Sequence, residues 1–112
     1  MILNIKSPST FITEVSTISK LSNSIVSTKL KVVFKDGFFY LTRRNKNSKW
    51  YNNLLSNRYA GIKINNENIV TSAEEMIDET EKKEVSSIKY ADKRREDNRY
   101  GFKLTIEDGP RK

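Results

Sequence analysis

Apolar and polar positions alternate over most of the first half of the chain. From Thr10 to Ile18, Phe11, Thr13, Val15 and Thr17 share one face, and Ile12, Glu14, Ser16 and Ile18 share the other. β-Branched residues dominate, which predicts a strand. A turn over Ser19–Ser24 leads to a second strand, Ile25–Lys35, in which Leu30, Val32 and Phe34 oppose Lys29, Lys31, Val33 and Lys35. That strand has one apolar and one mostly basic face. Asp36-Gly37 is a strong hairpin signal, and a third strand, Phe38–Arg43, follows it.

The period then changes. Trp50 with Leu54, and Tyr51 with Leu55, sit four residues apart and predict a short amphipathic helix over Lys49–Ser56. Ser48 stands at its N-cap position. A fourth strand is expected over Tyr59–Ile64, a turn at Asn65-Asn66, and a fifth strand from Asn68 to Ala73 or as far as Ile77. Val85, Ile88 and Ala91 form a narrow stripe in a charged segment, which predicts a surface helix over Thr80–Glu96. Tyr100, Phe102, Leu104 and Ile106 alternate in a sixth strand that Gly109-Pro110 ends.

The resulting order is βββ-α-ββ-α-β: a mainly β chain with two helices. One domain is expected over 1–112, with a lead-in at 1–9 and a tail at 107–112. Six antiparallel strands must close or hide an edge, and a small six-stranded antiparallel barrel does both economically.

Composition narrows the chemistry. The chain has no cysteine, which excludes disulfides, thiol nucleophiles and cysteine metal sites. It has no histidine, which excludes Ser-His-Asp and Cys-His catalysis and the commonest zinc ligand. No metal site is expected, and the Glu74-Glu75…Asp78-Glu79…Glu81 cluster reads as a solvated face. If the chain catalyses a reaction, a bound cofactor carries the chemistry. The N-terminus shows no leader pattern and no stretch reaches transmembrane length, so a cytoplasmic location away from membranes is expected.

The net charge is +7. A basic surface attracts polyanions. No acid occurs from Gly37 through Asn66, and within that stretch Arg43, Arg44, Lys46 and Lys49 surround the start of the first helix. Unpaired N–H groups and cations together suggest a phosphate seat. Lys93-Arg94-Arg95, with Arg99 nearby, is a second basic run, explained by a helix C-terminus or by nucleic-acid contact.

Thr42…Ser48-Lys49-Trp50-Tyr51-Asn52-Asn53-Leu54-Leu55-Ser56-Asn57, followed by Tyr59-Ala60-Gly61-Ile62-Lys63-Ile64, resembles the flavin- and deazaflavin-binding split β-barrel superfamily. Its members include pyridoxamine-phosphate-oxidase-like flavoproteins and deazaflavin-dependent nitroreductases. The resemblance covers about Val15 to Ile64. It implies a split-barrel homodimer that binds FMN or a deazaflavin coenzyme, with oxidoreductase activity of the nitroreductase-like class. It also implies that Thr42, Arg43, Arg44, Ser48, Lys49 and Trp50 hold the cofactor phosphate. Ser16 and Thr17, with Lys29 and Lys31, would line the ring or ribityl region. Two turns depart from the family pattern: neither Lys20–Ser24 nor Asn45-Lys46-Asn47 contains glycine.

Two other readings stay open. One is a non-enzymatic basic barrel that binds nucleic acid through Lys29, Lys31, Lys35, Arg43 and Arg44, with Phe38, Phe39 or Tyr40 for stacking. The other is a structural dimer without a cofactor.

Overall fold

The computed structural model describes residues 5–90, 92–93 and 99–107. Six strands and two helices follow in the expected order: β1 Ser9–Ile18, β2 Ile25–Lys35, β3 Phe38–Arg43, α1 Lys49–Ser56, β4 Tyr59–Ile64, β5 Glu67–Glu75, α2 Glu79–Lys89 and β6 Tyr100–Ile106. All pairings are antiparallel, and the strands close into a barrel in the spatial order β1-β2-β3-β6-β5-β4.

Two hairpins depend on backbone that few residues adopt. Asp36 and Gly37 have φ of 53° and 88°, and Asn65 and Asn66 have φ of 51° and 66°. Two consecutive positive φ angles give the turn whose twist matches that of the flanking strands.

The alternation sorts side chains to two cores. Val15, Val32, Phe34, Phe39, Leu41, Ile62 and Leu104 fill the barrel interior. Helix α1 packs against the same cluster with Trp50, Tyr51 and Leu54, and the Tyr51 ring lies 4.6 Å from that of Phe102. On the opposite face of the strands, Val33 and Tyr40 pack with Met76 and Val85, so α2 covers the outside of the wall. Helix α2 ends at Lys89, where Tyr90 takes extended backbone (φ −128°, ψ 134°), short of the expected Glu96. Arg94 and Arg95 of the second basic run lie outside the described residues.

The acidic cluster is built into the fold. Asp78 caps α2 by accepting from the Thr80 and Glu81 amides at 2.8 and 3.4 Å. Glu75 accepts from the Tyr51 hydroxyl at 2.5 Å and pairs with Lys46 at 3.1 Å. The Tyr51 hydroxyl and the Lys46 ammonium hold the Glu75 carboxyl below the usual carboxylate range, against the opposing effect of its burial. Burial and the Glu75 carboxylate hold the Tyr51 phenol far above its ordinary value.

Candidate functional site

The barrel is closed between β2 and β3 by a short ladder. Lys35 pairs with Phe38, Phe34 with Phe39 and Val33 with Tyr40, and among the described residues the pairing stops there. Both strands run on: β2 continues beside β1 back to Ile25, and β3 continues beside β6 to Arg43. Extending the same register would set Lys31 across from Thr42 and Lys29 across from Arg44. The strands have already diverged ahead of these positions, beyond Val33 and Tyr40.

The divergence opens a cleft of about 420 Å³, within the size range of small-molecule sites. Lys29, Leu30 and Lys31 line it from β2, and Leu41, Thr42 and Arg43 from β3. Arg44 and Asn45 follow in the loop, and Trp50 of α1, Lys89 and Tyr90 at the end of α2, and Arg99 just before β6 complete it. Six of these residues are cationic, and no carboxylate lines the cleft among the described residues.

Lys89 is the most constrained of the cations. It is 8% exposed, where lysine is almost always solvated. Its Nζ donates to the Thr42 carbonyl at 3.0 Å and to Thr42 Oγ1 at 3.2 Å. The end of α2 favours a cation there, because helix C-termini carry partial negative charge. Burial, and then the charges of Arg99, Lys31 and Arg43, push the Lys89 ammonium down to about 8. Tyr90 gathers three of the cations: Arg99 Cζ lies 4.7 Å from its ring centroid, Lys89 Nζ 5.4 Å and Lys31 Nζ 5.5 Å. Trp50 is buried, and its indole N–H has no acceptor among the described residues.

The structure brings together Thr42, Arg43, Arg44, Trp50 and Lys31 of the expected site, and Lys29 with them. Arg43 and Arg44 both line the cleft, with β3 ending at Arg43. Ser48, Lys49 and Thr17 do not line it. Ser48 sits at the N-cap position with extended backbone but makes no capping bond, and its Oγ is buried without a partner among the described residues. Lys49 is exposed. Thr17 is 1% exposed and accepts from Asn53 Nδ2 at 3.0 Å, which ties α1 to β1. Ser16 shares a hydrogen bond with Ser27 at 3.0 Å on the exposed face. Lys46 is held by Glu75. Lys89 and Tyr90 were not among the expected site residues, and Arg99 was expected only as part of a basic run.

The rings considered for stacking are occupied elsewhere. Phe39 and Tyr40 are 0% and 2% exposed, and Lys103 Nζ lies 4.1 Å from the Phe38 ring centroid. Among the described residues no cluster of three or more metal-ligating side chains occurs, and no helix is long and apolar enough to cross a membrane.

Comparison with known proteins returns no matching family model and no matching curated protein.

Proposed function

We propose that the chain binds a phosphorylated flavin or deazaflavin in the split between β2 and β3, and serves as an oxidoreductase of the nitroreductase-like class. The observation that carries this reading is a cleft of about 420 Å³ in whose wall Lys31 and Arg43 converge on a Lys89 that is nine-tenths buried. Such crowding is unfavourable unless an anion joins it. The residues fit the cofactor in two respects. Lys31, Arg43 and Lys89 offer charge-assisted donors to a phosphate. Trp50 offers an apolar ring and an orphaned N–H, and such a donor is costly when buried without an acceptor.

A bound flavin or deazaflavin supplies hydride transfer. The chain's own residues bind the phosphate, orient the ring and exclude water. A homodimer is part of the proposal, because the β1–β2 hairpin leaves Ile12, Leu21, Ile25 and Val26 exposed, and a second copy would cover such a surface.

Titration of the protein with FMN and with a deazaflavin, followed by cofactor fluorescence at low salt, tests the reading. Micromolar or tighter binding of one cofactor is expected. The Lys31→Glu/Arg43→Glu double variant should weaken it by about tenfold or more, since each charged contact contributes about 1.5–3 kcal/mol. Binding of neither cofactor, or equal binding by the double variant, contradicts the proposal. Salt-sensitive binding of single-stranded oligonucleotides without cofactor binding would instead favour a nucleic-acid role.

A further inference from the structure

The chain has two candidate anchors for an anion, and they lie on different elements. One is the N-terminus of α1, with Ser48 and Lys49. The other is the α2 side of the split, where Lys89, Lys31 and Arg43 converge. At the first, Lys49 lies outside the cleft lining, and Lys46, the nearby cation of the loop, is paired with Glu75. At the second, an ammonium with three donors gives two of them to Thr42, which fixes its position at the cleft wall.

We infer that the anionic group of the ligand is seated on Lys89, Lys31 and Arg43 at the α2 side of the split, and not on the N-terminus of α1. This rests on the reading that the split takes a phosphorylated ligand, and it makes Thr42 the positioning residue that orients Lys89.

The seat has a protonation signature. The groups facing Lys89 are Lys31 from β2, Thr42 and Arg43 from β3, Arg99 ahead of β6, and Tyr90 beside it. Burial and the like charges among these groups depress the Lys89 ammonium to about 8. A phosphate dianion placed among them reverses the local field and restores the proton. Binding above pH 8 therefore takes up a proton. The phosphate itself gives the opposite sign, because it releases a proton near pH 6 when cations hold it.

The test is isothermal titration calorimetry of the full chain with FMN, in buffers of different ionisation enthalpy at pH 7, 8 and 9. Riboflavin, which lacks the phosphate, serves as the control. Uptake should rise from near zero at pH 7 to roughly half a proton at pH 8 and most of one at pH 9. Riboflavin should show none. Lys89→Met should abolish the uptake and weaken FMN binding by about tenfold or more, whereas Lys49→Ala should change affinity by no more than about twofold.

FMN binding without proton uptake at pH 9, or equal losses from Lys49→Ala and Lys89→Met, overturns the seat and leaves the flavin reading standing. If inorganic phosphate binds with uptake at pH 9 while FMN does not bind, the seat stands and the flavin reading falls. If neither binds, both fall. The uptake is read on the unaltered chain, so the test holds even if Lys89→Met does not fold.

Discussion

Replacing Gly101 with alanine should cost about 3 kcal/mol or more of folding stability, read as a lower midpoint in chemical denaturation. Gly101 pairs with Thr42 across the β3–β6 ladder. A Cβ there would lie 2.4 Å from the Leu41 carbonyl oxygen, 2.8 Å from Thr42 Cγ2 and 2.9 Å from Met76 Cε. The first contact is with backbone that cannot rotate away, and the Gly101 carbonyl also accepts from the Met76 amide at 2.8 Å. Relief requires β3 to move away from β6, and β3 carries one wall of the cleft. Ligand binding should therefore fall together with stability.

Gly61→Ala is the matched control. Its Cβ would meet Asn68 Oδ1 at 2.3 Å and the Tyr59 hydroxyl at 2.7 Å, both ends of side chains. These can swing aside at the cost of the Asn68–Tyr59 hydrogen bond, so about 1 kcal/mol or less is expected. Equal losses at the two glycines would show that the tight β3–β6 approach does not hold in solution.

The unliganded protein should become more stable as the pH rises from 8 to 10. Lys89 is held near 8 in the folded chain, against an ordinary value of 10.5. The unfolded chain thus binds more protons in that window, and stability climbs with pH wherever this is so. The penalty is complete below about 8 and is relieved progressively above it. The gain is on the order of 2 to 3 kcal/mol between pH 8 and 10.

Above 10 the sign turns. The Tyr51 phenol is raised by burial and by its bond to Glu75, and the Tyr40 phenol by burial and neighbouring carboxylates. Both favour the folded chain below pH 10 and lose that contribution as the pH climbs further. Lys89→Met should flatten the rise between 8 and 10. Urea denaturation across this range, on the parent and on Lys89→Met, reads the difference directly. A flat profile in the parent would mean that Lys89 is solvated in solution.

The strands and hairpins were legible because local signals agreed with tertiary burial. Val32 and Phe34 alternate with Val33 and Lys35, and each set lies on the face its pattern implies. Asp36-Gly37 and Asn65-Asn66 have the backbone their residue types favour. The end of α2 was less legible: the charged segment past Lys89 remains rich in helix formers, and neither glycine nor proline marks the stop at Tyr90.

About half of the site was legible. Thr42, Arg43, Arg44 and Trp50 lie close together in sequence and stayed together in space, and Lys31 joined them. Ser48 and Lys49 carried the usual signals of a phosphate-binding helix start, yet neither lines the cleft. Lys89 and Arg99 were hidden for a physical reason. Lysine and arginine in a charged segment are normally solvated, and only the divergence of β2 from β3 creates the recess that buries them. That divergence is a property of how two strands pair, which no single segment displays.

Amide chemical-shift mapping of the isotopically labelled chain during an FMN titration locates the ligand without any substitution. The largest shifts should fall on 29–31, 42–45 and 89–90, the three segments that meet at the split. Shifts confined to Ser48 and Lys49, or scattered over the surface, would show that the ligand does not occupy the cationic opening between β2 and β3.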